Sequence, residues 1–307
     1  MQNLIDTIKS EISKAIIAQE DMVDALLIGL LSDGHILVEG VPGLAKTSTI
    51  KALASSMELD FKRIQFTPDL LPSDIIGAMI YDPKSNDFKI KKGPIFTHLL
   101  LADEINRSPS KVQSALLEVM QERQVTIGDS SFGIDEPFLV MATQNPLEQE
   151  GVYRLPEAQL DRFMLKVIVN HNSFEDEFQI MKQIANKSSQ DINALDIMKH
   201  LHTLKEAVEA IHIDSEVEKY ILNLVRATRN ENPNISYGAS PRASIDLYKA
   251  SKARAFLNRK DFVSPQEVAQ MAYPVLRHRI GLSYHALASK ISADELIKEI
   301  IKITPIP

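Results

Sequence analysis

The segment that most constrains this chain lies between residues 35 and 47. Residues 35–40, HILVEG, form a short apolar run ending in glycine, and VPGLAKT continues from it. The run reads as a buried strand, the small-residue stretch as a loop, and residues 47–57 as the helix that follows. A strand, a small-residue loop and a helix N-terminus together wrap a phosphate, because backbone N–H groups and the helix dipole both face the anion. Gly40-Val41-Pro42-Gly43-Leu44-Ala45-Lys46-Thr47 matches G-x-x-x-x-G-K-[ST] except that Ala45 replaces the second glycine. In that pattern Lys46 takes the β- and γ-phosphates and Thr47 a Mg2+ ion. Alanine lacks glycine's tolerance of positive φ, so the loop is expected to keep Ala45 in an ordinary backbone region. The competing reading is a chance strand–helix turn that carries Lys and Thr.

The rest of the chain supplies a context. Leu4, Ile5, Ile8, Ile12 and Ile16 recur at helical spacing, and residues 25–31 read as a second, buried helix. Residues 61–66 (FKRIQF), 97–104 (THLLLADE), 137–145 (PFLVMATQN) and 163–169 (FMLKVIV) read as strands. Residues 67–94 hold four prolines and the turn signal DPKSND between GAMIY and FKIK, which predicts a hairpin-like insertion. Residues 124–134 predict a second hairpin. Ser110 with Gln113, Ser215 with Glu218, Ser264 with Glu267 and Ser292 with Glu295 are spaced as capping boxes. Pro241 and Pro265 follow Ser at first-turn positions. Beyond Asn170 the pattern is nearly all helical, so an α/β domain is expected to about that point and a helical domain after it.

Two strand ends add chemistry. The apolar run at residues 98–104 ends in Asp103-Glu104, suited to orienting a metal and polarising an attacking water. Acids at strand ends are common, and the place of this pair downstream of the phosphate loop is what favours the functional reading. Met141-Ala142-Thr143-Gln144-Asn145-Pro146 ends another strand, where Asn145 can hydrogen-bond a water or the γ-phosphate; the bland alternative is an Asn-Pro turn.

Composition excludes several classes. The chain has 307 residues, 44% hydrophobic and 24% charged, so it can bury a core without staples. It has no cysteine, which rules out disulfides, a thiolate nucleophile and Cys-ligated zinc, and fits a reducing, cytoplasmic setting. Lys+Arg 34 against Asp+Glu 41 gives −7, so bulk charge does not drive it onto nucleic acid, which is not an expected partner. No apolar run reaches membrane-spanning length, and the N-terminus does not read as a secretory signal.

With these motifs in order, the chain resembles the AAA+ ATPases. EGVPGLAKT, LADEINRSP, ATQNP and YRLPEAQLDRF sharpen the resemblance to the MoxR family, whose sequences share the alanine at the Ala45 position. The resemblance covers nearly the whole chain. It implies an α/β P-loop AAA+ core over residues 1–170, an αβα sandwich on a parallel sheet, followed by an all-α helical lid over residues 171–307. It implies ATP and Mg2+ as cofactors, with Asp103 supporting the metal, Glu104 activating water and Asn145 at the sensor-1 position. Arg162 matches the arginine finger and Arg242 matches sensor 2, acting in cis or in trans. The segment around Gln19 matches the border of the adenine site, and the two hairpins match the helix-2 and pre-sensor-1 inserts. The family works as a homo-oligomer, most often a hexameric ring. It remodels or matures client proteins, often ones with von Willebrand factor A domains.

Alternatives stay open on the residues alone. Arg154 and Arg107 compete for the finger role, and Arg162 could be an ion-pair partner of Asp161 or Glu157. The histidines show no metal spacing; His35 and His98 read as core or strand-end residues, and Arg277-His278-Arg279 as a solvated basic cluster. A metal-chelatase motor subunit, a nucleotide-gated scaffold with negligible hydrolysis and a DNA-acting ATPase are the other readings of the chain as a whole.

Overall fold

The computed structural model describes residues 2–41, 43–146, 152–185 and 191–307. Helices α1 (Gln2–Ser13) and α2 (Glu20–Leu31) precede β1 (Ile36–Gly40), α3 (Lys46–Ser56) and β2 (Phe61–Gln65). A short α4 (Pro72–Ile76) leads into β3 (Gly77–Asp82) and β4 (Asp87–Lys92). Then come β5 (Leu99–Asp103), α5 (Ser110–Glu122), β6 (Gln124–Ile127), β7 (Ser130–Gly133), β8 (Leu139–Gln144), α6 (Glu157–Leu160) and β9 (Leu165–Val169). The remainder is α7 (Phe174–Ala185), α8 (Met198–Glu209), α9 (Ser215–Ala227), β10 (Ile235–Tyr237), α10 (Pro241–Leu257), α11 (Pro265–Leu276), β11 (Gly281–Leu282), α12 (Tyr284–Ala288) and α13 (Ala293–Ile303). No helix among the described residues is long and apolar enough to cross a membrane.

Five strands form one parallel sheet in the order β2-β5-β8-β1-β9. In β1, β5 and β8 the near-continuous apolar runs fit burial on both faces. Ile36, Val38, Leu99, Leu101, Met141 and Leu165 face a core shared with α1, α2 and α3. Leu37, Leu100, Ala102 and Val140 face a second core with Val112, Leu116 and Met120 of α5. This is an αβα sandwich. The first core continues without a break into α8, α9, α10 and α11, so the change of character after β9 is one of secondary structure, not of packing.

Both insertions are antiparallel hairpins, β3–β4 and β6–β7. They meet beside Gly128, where a Cβ would lie 2.2 Å from the Met79 sulfur. Lys92 sits over the rings of Phe96 and Phe132.

Three expectations need correction. Ser110 does not cap α5; Pro109 holds the cap position, and no side-chain cap bond forms there. Gln113, expected to complete that box, is buried and its amide reaches the carbonyls of Ile105, Ser108 and Tyr153 at 3.0–3.2 Å, which ties down the loop after β5. Ser215 likewise lies inside α9, because Asp214 one residue earlier accepts from the Glu216 N–H at 2.8 Å. The boxes at Ser264 and Ser292 form as expected.

The third correction is the largest. Arg277-His278-Arg279 is not a solvated face. His278 and Arg279 are buried where the end of α11 meets the start of β9. Arg279 pairs with Asp161 at 2.9 Å and Asp246 at 2.5 Å, and its guanidinium also reaches the carbonyls of Phe163, Met164 and Val275. Burial outweighs the pull of Arg279 and raises the Asp246 carboxyl above its ordinary range. Burial also pushes the His278 imidazole well below 6.5, so it is neutral and its Nε2–H donates to the Phe163 carbonyl at 2.8 Å.

His35 lies in the core as expected. Its Nδ1 accepts from the Val140 N–H at 3.0 Å and its Nε2 lies 3.1 Å from the Met120 carbonyl. Burial pushes its pKa down to about 3.

Candidate functional site

The loop after β1 opens at the C-terminal edge of the sheet. Gly40 is required there: a Cβ would lie 2.8 Å from the Val169 carbonyl oxygen on the neighbouring strand. Val41 packs on the core and Leu44 is buried, so apolar side chains anchor a loop whose backbone faces outward. Pro42 lies outside the described residues. Gly43 has φ +88° and Ala45 has φ +54°, immediately before α3. The expectation of an ordinary conformation at Ala45 is therefore wrong. The turn into α3 needs a left-handed residue, which alanine supplies at a cost of roughly 1–2 kcal/mol.

A cavity of about 390 Å3 lies over this loop. Gly43, Leu44, Ala45, Lys46 and Thr47 line one side, and Asp103, Glu104 and Asn145 the other. A cleft of this size suits a small ligand. Lys46 donates to the Gly40 carbonyl at 2.7 Å, folded back over its own loop. Burial lowers its pKa, against the opposing pull of Asp103 and Glu104.

The two acids sit at the end of β5. Glu104 takes φ +57°, which turns the chain sharply off the strand. Thr143 on β8 links them, donating to Asp103 Oδ1 at 2.6 Å and accepting from the Glu104 N–H at 2.9 Å. Arg63 on β2 holds the other oxygen of Asp103 at 2.6 Å. Gln65 and Arg107 hold Glu104 Oε2 at 2.7 and 3.2 Å. Sequence reasoning missed Thr143, Arg63 and Gln65 as site residues. The signal for the last two was present: alternation along residues 61–66 sends them to one face, ending level with Asp103.

The chemistry of the donor set fits a hard divalent cation. The Thr47 hydroxyl and the Asp103 carboxylate supply oxygens beside Lys46, and such an ion takes its remaining ligands from phosphate and water. Among the described residues no group of three or more His, Cys, Asp or Glu is placed to hold a metal.

The other expected residues lie elsewhere. Gln19 donates to the Asn172 side chain at 3.1 Å, joining the start of α2 to the segment after β9. Arg242, in the first turn of α10, pairs with Asp161 at 3.1 Å and does not line the loop cavity. Ser240, which caps α10, also donates to Asp161. Arg162 is half-buried next to it. Among the described residues Asp161 pairs with Arg242 and Arg279, not with Arg162. A second cavity of about 650 Å3, shared between the sheet edge and the C-terminal helices, is lined by Asn145, Arg154, Lys166, Tyr237 and Arg277 among others.

Comparison with known proteins agrees with this architecture. The profile of the "ATPase family associated with various cellular activities (AAA)" matches residues 35–165, and that of the "AAA lid domain" matches residues 226–300. "Chaperone MoxR1" of Mycobacterium tuberculosis is 43% identical over 308 residues, covering 97% of this chain and 81% of that protein. YeaC of Bacillus subtilis, itself uncharacterized, is 41% identical over 299 residues, with 96% and 92% covered. A crystal structure of a provisionally assigned ATPase from Cytophaga hutchinsonii superposes with a TM-score of 0.92 at 47% identity, covering 100% of this chain and 96% of that one. Its phosphate loop, its paired acids at the end of β5, its lid and its full-length relatives lead to one assignment: the chain belongs to the MoxR family of AAA+ ATPases.

Proposed function

We propose that this protein binds Mg-ATP in the cavity over the phosphate loop and hydrolyses it between subunits of a ring. The observation that carries the reading is the convergence of Lys46, Thr47, Asp103, Glu104 and Asn145 on that one cavity from the ends of two strands, β5 and β8, and the start of helix α3. Gly40 to Ala45 cradle the phosphates, Lys46 leaves the Gly40 carbonyl for the β- and γ-phosphates, and Thr47 and Asp103 hold Mg2+. The ion supplies charge neutralisation at the transferring phosphoryl group. Glu104 polarises the attacking water, and Asn145 positions that water or the γ-phosphate. Gln19 borders the base.

Arg162 and Arg242 act on the neighbouring subunit. Both flank Asp161, away from the chain's own phosphate loop, and this supports a trans role for the pair. A guanidinium from the neighbour spreads the transition-state charge, so hydrolysis depends on assembly. Residues 1–170 then serve as the nucleotide-binding core and residues 171–307 as the lid. The hairpins β3–β4 and β6–β7 carry motion to a client protein, for remodelling or maturation. Chaperone activity is what the name of the Mycobacterium tuberculosis relative states for that protein. The clients expected are cytoplasmic proteins with von Willebrand factor A domains, and the ring is expected to be a hexamer.

The test is the Mg-ATPase rate per subunit against protein concentration. Specific activity should rise with concentration in the wild type. Glu104→Gln and Arg162→Ala should each lose at least about a hundredfold, with Glu104→Gln still binding ATP. A rate independent of concentration, or an active Arg162→Ala, would remove the shared-site reading.

A further inference from the structure

We propose that the cavity of about 650 Å3 between the sheet and the C-terminal helices is a second ligand site, built for a nucleoside monophosphate. It stands apart from the phosphate loop. Among the described residues that line the loop cavity, Asn145 alone lines this one as well. The site goes beyond the ATPase reading, and its ligand is an effector of that cycle, not its substrate.

The charges on the cavity wall select the sign of the ligand. Val38 on β1 and Val167 on β9 face the first core, so alternation sends Glu39 and Lys166 to the opposite face of the sheet. There they pair at 2.7 Å. Arg277, at the end of α11, donates to the Lys166 carbonyl at 3.2 Å and to Asp294 at 2.9 Å. Arg154 is exposed and makes no ion pair or hydrogen bond among the described residues. Three cations against one carboxylate line the cavity, so it draws an anion. Arg154 is the cation with its fork still open, and that fork matches the oxygens of a phosphate.

The rest of the wall asks for more than a phosphate. His278 and Asn106 line it and are 5% and 6% exposed. The His278 Nε2–H is spent on the Phe163 carbonyl, so Nδ1 is an acceptor. Neither that Nδ1 nor Asn106 Oδ1 has a partner among the described residues. Buried polar atoms are normally satisfied, so two such acceptors on one wall fit a ligand that brings N–H or O–H donors. An exocyclic base amine and ribose hydroxyls are donors of this kind, and a carboxylate such as Glu39 takes a ribose hydroxyl. Leu155, Leu160 and Ile280 make an apolar stretch beside the Tyr237 ring. That ring is fixed from behind, since a Cβ on Gly281 would lie 2.0 Å from its Cε1. Burial, and then Glu157, push the Tyr237 hydroxyl up to about 12, so it stays uncharged. A flat base suits such a wall. Phosphate by itself would leave the apolar stretch uncovered, and an uncharged nucleoside would leave Arg154 unanswered. The volume exceeds the 390 Å3 of the loop cavity and lies in the range of small-ligand sites. Lys166 and Tyr237 belong to the two halves of the chain, so a ligand here bridges them, and Asn145 joins it to the loop cavity. Occupancy of either cavity therefore alters the other.

The probe is AMP, titrated calorimetrically into the full-length protein without metal. One AMP should bind per chain. Arg154→Ala should weaken it at least about tenfold, the loss expected for a hydrogen bond to a charged group. Adenosine, which lacks the phosphate, should bind the wild type correspondingly less well, and this makes the same test without a variant. Leu160→Trp, which fills the cavity and alters no charge, should abolish binding. Lys46→Ala should leave it unchanged. Absence of AMP binding at millimolar concentration overturns the site. So does AMP binding that Lys46→Ala abolishes while Arg154→Ala and Leu160→Trp spare it, because AMP then sits on the phosphate loop. Saturating AMP should also shift the Mg-ATPase rate of the wild type and not that of Arg154→Ala. No shift, or one that survives Arg154→Ala, overturns the effector role. Failure of the phosphate-loop reading would appear instead as ADP binding that Lys46→Ala leaves intact, and is separate from each of these outcomes.

Discussion

Ala45 and Glu104 share a left-handed backbone conformation, with φ +54° and +57°. Both sit where the chain turns sharply beside the cavity, and local strain of this kind gathers at functional turns. The two positions differ in freedom. Glu104 is bound to its carboxylate, whereas Ala45 contributes a methyl group and a left-handed turn. Ala45→Gly should therefore stabilise the fold by about 0.5–1 kcal/mol, because relief of the left-handed penalty exceeds the added unfolded-state entropy. Chemical denaturation of the two proteins side by side measures this. A less stable glycine variant would mean that the methyl group packs usefully in the loop.

The β3–β4 hairpin shows how an element can persist with little core. Every residue of β4 is exposed, and Met79, Ile80, Tyr81 and Phe88 are exposed apolar residues around it. Tyr81 and Phe88 meet edge to face across the strands, which supplies part of the missing packing. The neck supplies the rest of the definition. Gly77 has φ +105°, and a Cβ there would lie 2.3 Å from the Lys91 carbonyl oxygen. Gly93 is as tight, with a Cβ 2.2 Å from the Ile75 carbonyl oxygen. Gly77→Ala should open the hairpin without unfolding the sheet. Amide exchange over residues 77–92 should accelerate at least about tenfold, as expected for strain above ~1.4 kcal/mol, with β1, β5 and β8 unchanged. Equal acceleration in the central strands would show that the hairpin is part of the global folding unit.

At the scale of the whole molecule, Asp161 is the junction. It binds Arg279 from the end of α11 and both Ser240 and Arg242 from the start of α10. Arg279 is almost fully buried, with a side chain 1% exposed, so its charge has no recourse to water. Removing one partner of a buried pair costs about 3–5 kcal/mol, and Asp246 remains to offset part of that. Asp161→Ala should thus destabilise the protein by about 2–3 kcal/mol in denaturant unfolding. It should also release Arg242 and depress assembly-dependent ATPase activity more than binding of ATP. A loss below ~1 kcal/mol would show that Asp246 and the carbonyls satisfy Arg279 alone.

The elements of the fold were legible in the sequence because their signals are local. The apolar runs at residues 35–40 and 97–104, the turn at DPKSND and the boxes at Ser264 and Ser292 each act within a few neighbouring residues. The phosphate loop was legible for the same reason, since Lys46 and Thr47 are bound to their helix start by covalent spacing. Tertiary structure decided what depends on distant partners. Thr143 reaches Asp103 across 40 positions, as does Arg63, and no spacing rule links them. Arg279 meets Asp161 across 118 positions, which turns an apparently solvated basic run into a buried charge network. The sign of φ at Ala45 was also set from outside, by the path the chain must take from β1 into α3. Periodicity specifies which residues form an element, whereas strand order and helix docking decide which charges meet.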